Sequence, residues 1–113
     1  MSVKTQIFQI AYTDSLRDER AELLRRLGHR VISVIGNESA KAVLGAIQFD
    51  FTLFIIGHAA PEQMRNEMLS WLKARYPNVR ILALNPTDQR LPGADYNVIQ
   101  NGPEKWLPFI SLP

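Results

Sequence analysis

The chain of 113 residues contains no cysteine, which excludes disulfides, zinc–thiolate centres and cysteine nucleophiles. It has no apolar run near the length of a membrane span. The opening Met-Ser-Val-Lys-Thr-Gln has neither the apolar segment nor the cleavage signature of a secretory signal, so the expected location is cytoplasmic and no membrane partner is implied. Charge of one sign is also scarce. The formal balance is +2, with bases and acids interleaved, so nucleic acid is not an expected partner. The one basic cluster, Arg25, Arg26 and Arg30, falls where a helix C-terminus favours cations anyway. No Gly-x-Gly-x-x-Gly or Walker-type phosphate loop is present.

What is present is a hydrophobic run with sharp edges. Phe51 to Ile56 is apolar except for the β-branched Thr52, and such a short run reads as a strand buried on both faces. Gly57 stops it and Pro61 suits the first turn of a following helix. Strands covered on both sides belong to parallel sheets, whose ligands and chemistry gather at the carboxyl ends. Here those ends supply Gly57, His58, Ala59 and Ala60, without a carboxylate, thiol or serine.

Around this strand the pattern alternates. Ile7 to Tyr12 reads as a first strand, and Thr13, Asp14 and Ser15 offer helix N-caps. The helix that follows carries Leu16, Leu23, Leu24 and Leu27 on one face, with Arg17, Glu19, Arg20, Glu22 and Arg26 largely opposite, and Gly28 ends it. Val31 to Ile35 is a second strand. Asn37 suits the cap of a helix with Ala40, Val43, Leu44 and Ile47 at apolar spacing. A third helix, Pro61 to about Tyr76, shows a stripe of Met64, Met68, Leu72 and Tyr76, widened by Leu69 and Trp71 and read as core packing. Val79 to Leu84 and Tyr96 to Ile99 complete five strands. The expected fold is a single α/β domain over residues 1–113, flavodoxin-like and doubly wound, with a parallel five-stranded sheet. The first helix and the tail should cover one face, the second and third helices the other.

Four stretches give this pattern a more specific likeness: Ala21 to Val31, Phe49-Asp50 through Pro61, Leu69 to Leu84, and Gly93-Ala94-Asp95-Tyr96. In order and spacing they resemble the receiver domain of bacterial response regulators over nearly the whole chain. The resemblance implies strand order 2-1-3-4-5 and a role in two-component signal transduction, with a signalling kinase, a regulator or a second copy as partner. It also shows what is missing. The family's acidic pair, which holds magnesium through hard carboxylate oxygens, falls on Ala11 and Tyr12. The phosphoacceptor falls on Gly57 counted back from Pro61, or on Ile55 counted from Phe49-Asp50. The hydroxyl position falls on Asn85 and the lysine position on Gln100. The implied protein is an atypical pseudo-receiver, not an enzyme, that binds partners without phosphorylation and without a cofactor or metal.

The family's helix between strands four and five has no room in Asn85 to Gly93 and should be missing, with the last helix shortened. Trp106, Phe109 and Ile110 in the apolar tail are candidates for an interface, with Leu112 beyond them. Two alternatives concern the strand ends. Asp14 and His58 are candidates for a small-ligand pocket beside Gly57, Asn85 and Gln100. His58 is also a candidate catalytic base, although no carboxylate or serine accompanies it in the motif. Asp14 reads first as a helix cap, and His29 as a residue at a helix end.

Overall fold

Five strands, β1 (Gln6–Ala11), β2 (Arg30–Ile35), β3 (Leu53–Ile56), β4 (Arg80–Asn85) and β5 (Tyr96–Ile99), form one sheet in the computed structural model, which describes residues 5–86, 90–100 and 102–110. The spatial order is β2-β1-β3-β4-β5 and every pairing is parallel, as the resemblance implies. Helices α1 (Asp14–Arg26), α2 (Gly36–Ala46) and α3 (Glu62–Arg75) make the crossovers, and a short α4 (Pro103–Trp106) runs into a 3-10 turn at Leu107–Phe109.

Side chains alternate across a strand, and here both faces are apolar. Phe8, Ile10, Phe54, Ile56, Ile81 and Ala83 point toward α2 and α3, where Ala40, Leu44, Met68, Leu69 and Leu72 meet them. Ile7, Leu53, Ile55, Leu82 and Leu84 point toward α1 and the tail, against Ala21, Leu24, Trp106 and Ile110. The two-faced burial of β3 is the physical reason its sequence is an unbroken apolar run.

Gly28 closes α1 at φ +93°. His29 N–H donates to Leu24 O at 3.1 Å and Gly28 N–H to Arg25 O at 3.0 Å, the paired bonds of a Schellman motif. A Cβ at Gly28 would meet nothing within 4 Å, so only backbone strain opposes a side chain there. Gly28→Ala should therefore lower the unfolding free energy by about 1 kcal/mol, read as a lower urea midpoint with unchanged slope.

No helix occurs among the described residues between β4 and β5; residues 87–89 of that connection lie outside them. Leu91 dips from the connection into the core on the α3 side, fully buried. Asn97 of β5 holds it, accepting from Leu91 N–H at 2.9 Å and donating to Leu91 O at 3.1 Å. A single leucine thus stands in for part of a helix, and Ile99 beyond it stays 44% exposed.

Several expectations need correction. Trp106 and Ile110, candidates for an interface, are buried in the chain's own core, where the tail covers the α1 face as expected. Of the three interface candidates only Phe109 keeps partial exposure, its ring 5.3 Å from that of Tyr96, and Leu112 lies outside the described residues. At the C-cap of α1, Leu27 is 54% exposed, while Arg20 within the helix is buried. On α3, Met64 is 43% exposed and Arg65 takes the inward position. Thr13, not Asp14, is the N-cap of α1, and Pro61 is the N-cap of α3. Asn37 lies inside α2 and caps nothing. Its side chain instead accepts from Tyr12 Oη at 2.8 Å and donates to Met64 O at 2.9 Å. The His29 ring is tied to the Thr5 hydroxyl.

Candidate functional site

The parallel register brings the strand ends into one row. Ile10 pairs with Ile56, and the next rung is Gly57 N–H donating to Ile10 O at 2.9 Å. At the other edge Gln100 N–H donates to Asn85 O at 2.8 Å. Ala11, Gly57, Asn85 and Gln100 therefore line the carboxyl edge, with Tyr12 and His58 just past it. Ile55 is inside β3 and faces α1. Asp14 is exposed on the first turn of α1, where its charge complements the helix dipole.

The centre of this edge is occupied by Arg65, a residue the sequence pattern does not single out. It is 0% exposed. From the first turns of α3 its Nε donates to Gly57 O at 2.7 Å, and its Nη2 donates to Leu84 O at 2.8 Å and Asn85 Oδ1 at 2.9 Å. Nη1 is buried without a partner. All three acceptors are neutral, so burial dominates and pulls the guanidinium below its ordinary pKa, with Tyr12 and Glu62 acting in the opposite direction. Asn85, at the hydroxyl position, is itself held: its amide nitrogen donates to Asn97 Oδ1 at 3.1 Å. Tyr12 is pushed up to about 12 by its own burial, only partly offset by the charge on Arg65, and so stays a phenol.

A second buried cation stands on the other side of Gly57. Arg20, 5% exposed, projects from the inward face of α1. Its Nη2 lies 3.1 Å from His58 Nδ1. A guanidinium can only donate, so Nδ1 is the acceptor and His58 is the neutral tautomer protonated at Nε2. Burial first, then the charges of Arg20 and Arg65, hold the His58 imidazole below its usual pKa. Burial also brings Arg20 down to about 10, still a cation at neutral pH. A Cβ on Gly57 would lie 3.0 Å from Arg20 Nη1 and 3.2 Å from Ile10 O. The missing side chain at Gly57 is therefore what makes room for the guanidinium.

The strand ends thus carry two buried guanidinium groups. Neither makes an ion pair with a described carboxylate, and no group of three or more His, Asp or Glu that could hold a metal ion occurs among the described residues. Beside Arg20 a half-open cleft of about 190 Å³ is lined by Leu16, Glu19, Leu23, Gln100, Pro103 and Trp106 as well as Arg20 itself. Of the pocket residues expected from sequence, Gln100 lines this cleft. The His58 ring is paired with Arg20, and neither His58 nor Asp14 is on the wall.

No protein-family model matches the sequence, and no curated protein matches it. Solved structures do. The chemotaxis response regulator CheY4 of Vibrio cholerae superposes with a TM-score of 0.80 at 17% identity, covering 95% of this chain and 96% of that one. A receiver domain from Methanospirillum hungatei gives 0.74 at 15% identity, covering 88% and 84%. The response regulator TrrA of Thermotoga maritima, solved with Mg²⁺ and BeF, gives 0.70 at 17% identity, covering 84% and 85%. TrrA has also been solved with the histidine kinase ThkA, and that structure matches at 0.67 and 16% identity. The present chain has the fold of the response-regulator receiver domain.

Proposed function

We propose that this chain is a signalling module of receiver type that binds its partner without being phosphorylated. The observation that carries this reading is Arg65, which fills the row of strand ends where a receiver keeps its acids. In the alignment of roles favoured here, Ala11 and Tyr12 replace the acidic pair, Gly57 the phosphoacceptor, Asn85 the hydroxyl and Gln100 the lysine. Gly57 is preferred to Ile55 because it stands at the end of β3 and Ile55 points into the α1-side core. A divalent cation ~5 Å from a guanidinium is disfavoured by roughly 7 kcal/mol at an effective dielectric of ~20. The chemistry of the row therefore opposes magnesium as well as failing to coordinate it. Phosphorylation needs both a carboxylate oxygen as nucleophile and a cation to neutralise the transferred group, and the row offers no carboxylate.

The partner favoured by the fold is a protein, a kinase or another regulator, or a second copy of the chain. The structure of TrrA with ThkA supports such docking for this architecture. The exposed side of β5 at Ile99 and the rim at Phe109 are the candidate contact points on this chain. Nucleic acid is not favoured, since within the one basic cluster Arg25 donates to Val31 O at 2.9 Å and Arg26 to Glu22 at 2.6 Å. Catalysis by His58 is not favoured either. Its contact is a cation, which weakens it as a base, and no nucleophile stands with it.

Incubation with Mg²⁺ and acetyl phosphate should leave the intact mass unchanged, and beryllofluoride should leave the amide spectrum unchanged. A Mg²⁺-dependent gain of one phosphoryl group would overturn the proposal. A kinase or regulator recovered from the native host by the unmodified chain, with no phosphodonor present, would support it.

A further inference from the structure

Arg20 carries a charge that no described carboxylate meets in an ion pair, Glu19 acting on it only through space. Its one hydrogen bond goes to a neutral imidazole, its Nη1 is buried with no partner, and it makes no ion pair. An arginine placed only to cap strand ends would resemble Arg65, whose Nη1 is also unpartnered but whose Nε and Nη2 meet three oxygen acceptors. Arg20 instead is among the residues that line the cleft between α1 and the tail, with Gln100, Gly102, Pro103 and Trp106 opposite, and its Nη1 lies toward Gly57.

We propose that this cleft binds a small ligand through one oxyanion group, a carboxylate or a phosphate, with Arg20 as its charge partner. A guanidinium presents paired N–H donors in a plane, the geometry that carboxylate and phosphate oxygens match. Gln100, which also lines the cleft, offers an amide donor beside it. The rest of the wall sets the limits. Leu16, Leu23, Pro103 and Trp106 are apolar and suit a hydrocarbon body. The volume of about 190 Å³ is below that of a drug-sized pocket, yet cavities of about 150 Å³ accept a benzene ring. Glu19, also on the wall, repels a second negative charge and so selects against polyanions such as nucleotides. The ligand class is therefore a small monoanion with an apolar body.

The probes are benzoate, inorganic phosphate and the neutral isostere benzamide, each titrated into the full chain. The readout is the side-chain Nε–Hε signal of Arg20 in a ¹⁵N spectrum, with the amides of Gln100 and Leu23 beside it. Benzoate should move these signals saturably and bind at least tenfold more tightly than benzamide. Inorganic phosphate, partly dianionic at neutral pH and without an apolar body, should bind more weakly than benzoate, and tighter binding of phosphate would overturn the proposed ligand class. Two variants are expected to weaken benzoate tenfold or more. Arg20→Gln removes the charge partner, and Gln100→Glu, nearly isosteric and at a half-exposed position, sets a competing carboxylate beside it. If Arg20→Gln fails to fold, Gln100→Glu and the wild-type titrations decide alone. Equal binding of benzamide and benzoate would overturn the proposal, as would the absence of any shift at Arg20 with both anions at millimolar concentration. These readouts are non-covalent, so they stand or fall separately from the mass test for phosphorylation.

Discussion

Phe54→Ala should lower the unfolding free energy by about 4 kcal/mol, a large share of the 5–15 kcal/mol typical of a domain. Phe54 is wholly buried at the centre of β3. Its ring stands 6.1 Å from Phe8, 5.7 Å from Phe51 and 5.3 Å from Tyr76, with the Phe8 and Tyr76 contacts edge-to-face. Each such pair adds about 0.5–1.5 kcal/mol beyond burial, and truncation leaves a cavity between β1, β3 and α3 that sheet backbone is poorly able to close. Phe54→Leu keeps most of the volume and should cost only about 1.5 kcal/mol. Urea unfolding of the three proteins checks both values. A loss under 1 kcal/mol for the alanine variant would mean that Phe8 and Phe51 collapse into the gap and that β3 is not the rigid centre of the sheet.

The same residues explain how much of the fold could be read from the sequence. An element buried on both faces leaves a continuous apolar run, and an element with one polar neighbour per turn leaves a period. Both signals are strong in Phe51 to Ile56 and in Ala40, Val43, Leu44 and Ile47. The Schellman turn at Gly28 was legible because few residues other than glycine tolerate its backbone. The tail was harder. Trp106, Phe109 and Ile110 are apolar and the topology places them on the α1 face, yet composition alone does not say which of them the core takes. Residues of β5 alternate between the two faces, with Tyr96 and Val98 packed toward α1, and that choice decides where the tail has something to bury against.

The site was legible only in its negative half. Counting from Gly28, Pro61 and Gly93 identifies positions that lack acids, because such counting needs no side-chain geometry. Arg20 and Arg65 escaped it because an arginine on an amphipathic helix normally reads as its solvated face. The signal was nonetheless there in the spacing. Arg65 precedes Met68 and Leu69 by three and four residues, and Arg20 precedes Leu24 by four, so each extends a buried stripe by one turn toward the carboxyl edge of the sheet. Met64 and Leu27, apolar but outward, complete the exchange. A cation at the end of an apolar stripe, facing strand ends without acids, is the pattern to look for.

Arg65→Met is the second large effect expected, a loss of about 3 kcal/mol and a fall in Tm of roughly 10 °C. Two opposing terms meet at this residue. Removing an unpaired buried charge recovers a desolvation cost of several kcal/mol, which favours methionine. Methionine also leaves Gly57 O, Leu84 O and Asn85 Oδ1 without the donor that now reaches all three. A hydrogen bond from a charged donor contributes about 1.5–3 kcal/mol, and an acceptor stranded in the core costs about 1–3 kcal/mol. Three acceptors on two adjacent strand ends outweigh one desolvated cation. Arg65→Lys separates the terms: it keeps the charge but loses the planar fork that spans β3 and β4, so it should fall between the wild type and Arg65→Met. Urea midpoints at pH 7 for the three proteins give the order directly. If Arg65→Met is as stable as the wild type or more so, the guanidinium costs the fold more than its bonds return. Its reason for being there would then lie in what binds at the carboxyl edge, and the phosphorylation tests should be repeated on that variant.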